Sequence, residues 1–339
     1  MKAMVLAAGR GERLRPWTDV LPKPLFPVLG VPLIRLVLCR LREAGVTEAV
    51  INLHHLPGAI VRELGSGRDL GLRLEYSDEP VLLGTGGGIR AVADFFGGEE
   101  AFWLHNGDIL ADWDLGGIWR THHDRGAVAT LAIDAGEDRP EARMVETDGE
   151  DRVIGIRGRP RQGDGPRGVF TGVSVLTPRV LETLPPGEVS CLVERGLIPL
   201  LERGNLVIGP RVRGTFVDIG TADRLLEAQW RMMPRAAEWF RSLGLPPPRE
   251  AAPGVFLHGD PEVHPEARLE GPLWISGGCR VGAGVHLGPR AVLGPGTVVR
   301  APARIREALV TGGGEVGGEV SGICIPGVLS APDCPGGRA

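Results

Sequence analysis

Apolar and polar positions alternate along the first 240 or so residues in blocks that assign secondary structure. Met4-Val5-Leu6 closes a short apolar run, and Leu33 to Ala44 carries apolar residues at helical spacing behind Pro32 and ahead of Gly45. Ala49 to Leu53, Leu72 to Tyr76, Ala101 to His105 and Ala127 to Ile133 read as strands. Pro57 to Leu64, Ile89 to Phe95 and a segment beginning near Leu115 read as helices, with Asp112 or Asp114 placed to cap the last. Alternation of this kind predicts an α/β domain, a parallel sheet with helices on both faces. The charged stretch 136–168 breaks the pattern and predicts an inserted sheet with strands at Met144 to Thr147 and Val153 to Ile156. A glycine-bearing strand at Val169 to Val173 and helices at 191–203 and 222–230 follow.

The period changes after LGLPPPREAAPG at 243–254, which reads as a linker because it is proline-rich and nearly without apolar content. Leu257, Val263, Leu269, Ile275, Val281, Leu287, Leu293, Val299 and Ile305 then recur every six residues. Small or modest residues stand four positions after an aliphatic one, as at Ala267, Cys279, Val285, Ala291 and Ala303. This hexad predicts a left-handed parallel β-helix, with one aliphatic residue per flat face stacking inward. The expected organisation is therefore a domain at 1–242, a linker at 243–254, the β-helix at 255–310 and a fraying glycine-rich tail at 311–339.

Composition narrows the function classes. A net charge of −4 without a basic tract excludes an electrostatic nucleic-acid surface. No apolar run reaches the roughly 18 residues of a membrane span, and Met1-Lys2 enters a strand without a leader pattern, so a cytoplasmic protein off the membrane is expected. Cys39, Cys191, Cys279, Cys324 and Cys334 are scattered and lack C-x-x-C spacing, as expected of reduced, packed thiols rather than a zinc or redox site. His54-His55 is no better a metal pair, because adjacent side chains on an extended chain point apart.

Candidate chemistry concentrates between Leu6 and Pro32. Gly9 and Gly11 let backbone N–H groups approach an anion, and Arg13, Arg15 and Lys23 can neutralise it. Lysine is scarce, since among 38 Lys plus Arg only Lys2 and Lys23 are lysines, so a lysine clamped between Pro22 and Pro24 marks a compact charge held in place. A plain glycine turn with solvated cations would use the same residues. The loop is neither a dinucleotide fingerprint, which needs glycine at Leu14, nor a Walker A loop. A second glycine run, Gly84-Thr85-Gly86-Gly87-Gly88, opens a helix. Asn106-Gly107-Asp108 lies at the carboxyl end of a strand, where open α/β sheets bind ligands and where an aspartate can hold Mg²⁺ or cap a helix. Asp218 in Asp-Ile-Gly-Thr offers the same choice.

Together, Gly9-Arg10-Gly11-Glu12-Arg13-Leu14-Arg15-Pro16, Thr18 and Pro22-Lys23-Pro24-Leu25 resemble the signature of the sugar-1-phosphate nucleotidylyltransferases. The likeness is nearest to mannose-1-phosphate guanylyltransferases and N-acetylmuramate-1-phosphate uridylyltransferases. Glu79 with Leu83 to Gly88, Phe170-Thr171-Gly172 and Phe216-Val217-Asp218-Ile219-Gly220-Thr221 extend it to about residue 240. The resemblance implies a Rossmann-like, mostly parallel sheet sandwiched by helices (nucleotidyltransferase, GT-A-like). It implies that a nucleoside triphosphate and a sugar 1-phosphate are substrates and that Mg²⁺ is the cofactor. Arg13 and Lys23 would be catalytic, and Leu6, Ala8, Gly9, Gly11, Gly84, Thr85, Gly86, Gly107, Thr171 and Gly172 would line the ligands. Asp108 and Asp218 would bind the metal. The family's Glu-Lys-Pro sugar-phosphate motif is missing. Arg157-Gly158-Arg159-Pro160 stands near its place, with Arg159 as the substitute. Thr85 among glycines suggests room for a purine and hence GTP with mannose 1-phosphate. A uridylyl- or thymidylyltransferase, a nucleotide-sugar-sensing subunit and a β-helix acyltransferase are the alternatives. Because every candidate residue precedes the linker, the β-helix is expected to serve homo-oligomer assembly rather than chemistry.

Overall fold

The computed structural model describes residues 1–134, 144–160 and 164–326. The chain forms two compact units, one of Met1–Arg10 with Val37–Phe216 and one of Gly11–Leu36 with the residues from Val217 onward.

The first unit is built on a mixed sheet. Strand Lys2–Leu6 is central, with Ala3, Met4 and Val5 fully buried, because an apolar strand flanked on both sides hides both faces. It pairs in parallel with Glu48–Leu53 on one side and Phe102–Asn106 on the other, and Arg73–Asp78 adds outside Glu48–Leu53. The chain thus steps outward twice and then crosses back to the far side of the first strand. That crossing creates a switch point at the carboxyl ends of Lys2–Leu6 and Phe102–Asn106, the position where open α/β sheets leave a crevice. Beyond Phe102–Asn106 the sheet turns antiparallel, through Arg167–Leu176 and then Met144–Thr147, Val153–Ile156 and Arg159–Pro160. The expected insert is therefore a continuation of the main sheet, although residues 135–143 and 161–163 lie outside the described residues.

The core beneath gathers Met4, Ile89, Phe96, Phe102, Leu104 and Leu131, with the Phe96 and Phe102 rings stacked at 3.8 Å between centroids. Helix Leu115–Arg125 starts at Asp114, whose carboxylate accepts from the Gly117 N–H at 2.9 Å, and stops at Gly126 in a left-handed conformation. The expected helix at Ile89 begins instead at Gly84 and ends at Ala91, so the glycines are its first turns rather than a loop ahead of it.

In the second unit, each inward aliphatic residue from Leu257 to Leu287 pairs in parallel with the one three hexads on. Leu257 lies opposite Ile275 and Ile275 opposite Leu293; Val263, Val281 and Val299 form a second column, and Leu269, Leu287 and Ile305 a third. These columns make a continuous apolar core in a parallel β-helix. Two expected boundaries differ. Arg249–Ala252, inside the expected linker, forms an antiparallel strand on Val255–His258. The expected tail carries strand Gly314–Cys324, paired with Thr297–Val310, so stacking runs past residue 310. Glycines that suggest fraying take positive φ there, as at Gly318 and Gly322, and let Val316, Val320 and Cys324 turn inward. Residues 327–339, with Cys334, lie outside the described residues.

Burial pushes the His122 imidazole down to about 4, with the neighbouring charge of His123 adding to the effect, and its ring nitrogen lies 2.9 Å from the Thr130 hydroxyl. His105, fully buried, is also pushed to about 4. The unfolded chain therefore binds more protons than the native one between the ordinary histidine range and pH 4. Stability should be fully present above about pH 6.5 and fall as pH drops toward 4. Urea midpoints measured from pH 7 to 4 should show this fall, and His122→Gln should flatten it, leaving the part due to His105.

Candidate active site

At the switch point the Gly107 N–H donates to the Leu6 carbonyl at 2.8 Å, which ties the ends of the two diverging strands. Ala7 and Ala8 are buried, whereas Gly9 is exposed and no heavy atom comes within 4 Å of where a Cβ would stand. Gly9 thus presents bare backbone on an open face, as anion binding requires. Asp108 follows Gly107 on the same edge and is partly exposed. Gly172 takes φ +87°, and a Cβ there would collide with the side chain of Asn106, so this glycine lets the antiparallel strand close onto the sheet edge. Thr171 is buried, and its hydroxyl donates to the Ala132 carbonyl at 2.9 Å, which commits that group to the fold.

The second glycine run packs on one side against a later part of the chain. Gly86 N–H donates to the Ser190 carbonyl at 2.8 Å, Ser190 N–H to the Leu83 carbonyl at 2.9 Å, and Leu192 N–H to the Thr85 hydroxyl at 2.9 Å. A Cβ on Gly84 would stand 2.7 Å from the Ser190 carbonyl oxygen, and one on Gly86 2.7 Å from the Ser190 hydroxyl. The space vacated by side chains admits residues 188–191 of the chain itself. Those residues lead into a π-helical turn at Leu192–Leu197, a rare geometry that often marks functional segments. Glu194 in that turn receives Arg157 at 2.9 Å and Arg159 at 3.0 Å, and Arg159 also reaches Glu202 at 3.6 Å. The candidate substitute for the sugar-phosphate lysine is therefore already engaged. Sequence reasoning placed Glu79 in the second glycine motif without assigning it a role and did not single out Asn52; both are buried. For Asn52 the available signal was a polar residue among the apolar positions of strand Glu48–Leu53.

The second unit holds the cations. Gly11 takes φ +64°, its carbonyl accepts from Leu14 N–H at 2.8 Å and from the Thr18 hydroxyl at 3.2 Å, and a Cβ would meet Thr18 Cγ2 at 2.9 Å. Lys23 lies in a tight turn after Pro22, and its Nζ is 3.8 Å from Asp218 Oδ1, with side-chain exposures of 10% and 6%. Arg224 approaches the other oxygen of Asp218 at 4.0 Å. Two cations around a buried carboxylate offset its charge, and the carboxylate in turn fixes the lysine. Arg13 is exposed and lies over Gly220, where a Cβ would stand 2.6 Å from its Nη2. Arg15 pairs with Asp19 at 3.2 Å on the surface. The cap of helix Ala222–Met232 is Thr221, whose hydroxyl accepts from Arg224 N–H at 3.4 Å, so Asp218 is not needed for capping.

The segment that carries Arg13 and Lys23 is braced by the β-helix. The buried Trp17 indole N–H donates to the Ile323 carbonyl at 3.1 Å. Leu29 N–H donates to Gln229 Oε1 at 2.8 Å, while Gln229 Nε2 donates to the Pro27 carbonyl at 2.9 Å. The Trp17 bond ties this segment to the β-helix and the Gln229 bonds tie it to helix Ala222–Met232. Among the described residues there is no group of three or more His, Cys, Asp or Glu side chains able to hold a metal. Mg²⁺ does not require one, since it is commonly held by one or two carboxylates, with substrate phosphates and water completing its shell.

A family model described as nucleotidyl transferase matches residues 2–233. An N-acetylmuramate alpha-1-phosphate uridylyltransferase from Neisseria meningitidis is 39% identical over 233 residues, 68% of this chain and 97% of that protein. A mannose-1-phosphate guanylyltransferase from Mycobacterium tuberculosis is 33% identical over 291 residues, 85% of this chain and 76% of that protein. The crystal structure of UDP-glucose pyrophosphorylase complexed with UDP-glucose shares the fold, with a TM-score of 0.57 at 21% identity, across 69% of this chain and 98% of that one.

Trp17→Phe removes the indole N–H and keeps the ring. It should lower stability by about 1 kcal/mol, read as a urea midpoint shift, and should speed proteolytic cleavage between residues 11 and 36. An unchanged cleavage rate would show that the brace does not hold the segment.

Proposed function

The chain belongs to the nucleotidyl transferase family and is a sugar-1-phosphate nucleotidyltransferase, and from that premise we propose that it joins GTP to mannose 1-phosphate, giving GDP-mannose and pyrophosphate. The observation that carries the choice of pair is the guanylyltransferase relative, 33% identical over 291 residues. The second reading, UTP with N-acetylmuramate 1-phosphate, is favoured by the higher identity of 39%.

In this mechanism an oxygen of the sugar phosphate attacks the α-phosphorus in line and the bond to pyrophosphate breaks. The nucleophile is already ionised, so the protein's work is positioning and charge compensation rather than proton transfer. The Gly9 to Gly11 backbone and Arg13 hold the triphosphate. Lys23, fixed by its buried partner Asp218, offers its charge to the α-phosphate region without a search among side-chain rotamers. Leu6, Ala8, Gly84 to Gly86 and Gly107 line the nucleotide, and Thr171 and Gly172 the sugar. Asp108 and Asp218 supply the carboxylates for Mg²⁺, and bound Mg²⁺ compensates the triphosphate charge. The active protein is a homo-oligomer in this reading.

A panel of triphosphates and sugar 1-phosphates should give a kcat/KM for GTP at least about tenfold above UTP, roughly 1.4 kcal/mol in transition-state binding. A preference for UTP with N-acetylmuramate 1-phosphate would establish the second reading instead. Asp108→Asn and Asp218→Asn should each cost on the order of 100-fold in kcat, and their losses should not multiply in the double variant. Fully multiplicative losses would mean that the two carboxylates do not serve one ion.

A further inference from the structure

Glu79 is 4% exposed and Asn52 3% exposed, and both lie within the first unit between its two glycine loops. Their hydrogen bonds form one chain of fixed polarity. Ala7 N–H, at the start of the first loop, donates to Asn52 Oδ1 at 2.8 Å. Asn52 Nδ2 donates to Glu79 Oε1 at 2.7 Å, and Leu83 N–H, at the entrance to the glycine helix, donates to Glu79 Oε2 at 2.9 Å. Only one orientation of the Asn52 amide serves both neighbours, because the backbone N–H needs an acceptor and the carboxylate needs a donor. The charge of Glu79 lies at the first turn of helix Gly84–Ala91, where the helix dipole favours an anion. Gly88 is part of the same arrangement, since a Cβ there would stand 2.7 Å from Glu79 Oε1 and 3.0 Å from Asn52 Nδ2.

We infer that Asn52 and Glu79 are positioning residues that set the separation of the two nucleotide-facing loops. They do so by fixing the Ala7 amide and the Leu83 amide to opposite ends of one buried hydrogen-bond chain. This rests on the nucleotidyltransferase reading for its consequence, because the loops matter jointly only if one nucleotide spans them. No third side chain intervenes between the two amides, so a donor–acceptor mismatch anywhere in the chain shifts one loop against the other. Neither residue touches the reacting atoms; the effect reaches substrate through backbone that they hold.

The polarity makes the inference testable by exchange. In Glu79→Gln the new amide must direct a donor at Asn52 Nδ2 or at Leu83 N–H, and no flip of either amide removes the conflict. In Asn52→Asp two carboxylate oxygens face each other. In Glu79→Gln/Asn52→Asp every donor again meets an acceptor and the net charge equals that of the wild type. There the Ala7 N–H donates to one oxygen of the introduced aspartate, the introduced glutamine donates its amide N–H to the other, and the Leu83 N–H donates to the glutamine carbonyl oxygen. Each single variant should raise KM for the triphosphate by roughly tenfold or more while KM for the sugar phosphate stays within about twofold, since a buried unmatched polar group costs about 1–3 kcal/mol. The double variant should recover to within about threefold of wild type. Singles whose losses multiply in the double variant, or equal losses for both substrates, would overturn the inference. Amide hydrogen exchange on the wild type is the second measurement, valid even if a single variant does not fold. Ala7 and Leu83 should exchange with one common opening free energy, and two unrelated values would overturn the shared chain. Exchange also separates this inference from the functional reading: a wild-type protein inactive on every triphosphate would end that reading while leaving the exchange result to decide the pair.

Discussion

The constraint on which the rest of the molecule depends is the divergence of two parallel strands at the carboxyl edge of the sheet. Strands Lys2–Leu6 and Phe102–Asn106 run side by side, yet the chain leaving them turns to opposite sides, because the connections before and after the crossover lie on opposite flanks of the first strand. Backbone groups at such an edge cannot all be satisfied by a neighbouring strand. The Gly107 N–H to Leu6 bond closes one of them. Gly9 and Gly107 are small there for different reasons. One presents open backbone outward, and the other would press a Cβ to 2.9 Å from the Leu6 carbonyl oxygen.

Buried charge is the second organising feature, and the two units handle it differently. In the second unit Asp218 is met by whole charges, Lys23 and Arg224, in a cluster whose ions are costly to bury and therefore hold each other in place. In the first unit Glu79 is met by one side-chain amide and one backbone amide at a helix entrance. The first device holds a lysine against a buried carboxylate. The second carries no cation at all and so shapes backbone without adding to the charge at the site. A cluster of whole charges and a network of amides around one carboxylate have different electrostatic characters, and the fold keeps them on different residues.

The β-helix takes part through geometry. Its columns of Leu, Ile and Val make a rigid stack, and a rigid stack is a good anchor for a loop too short to have a core of its own. Residues 11–32 contain three single turns of 3-10 helix and one hairpin of two-residue strands, with almost no regular pairing. Trp17 on Ile323 and the paired bonds of Gln229 supply the order that the loop lacks. The Trp17 bond couples the extension to the segment bearing Arg13 and Lys23, and helix Ala222–Met232 supplies the rest.

By itself the sequence determined whatever depends on near neighbours. Strand and helix periods, the hexad register, Asp114 as one of two cap candidates and the lysine between two prolines were all legible, because each is fixed by residues within a turn or a coil. The edge at which Asp108 and Gly107 stand followed from the same local reading of strand ends. Tertiary structure alone decided the pairings of residues remote in the chain: Asn52 with Glu79 across 27 positions, Trp17 with Ile323 across 306, and the filling of the Gly84 to Gly86 surface by Ser190. It also decided that the glycines after residue 310 turn a further coil and that Arg159 is held by Glu194 and Glu202. A buried polar side chain or a vacated Cβ position states only that some partner must come close. Which partner does so depends on where the folded backbone brings distant segments together, and no local pattern encodes that.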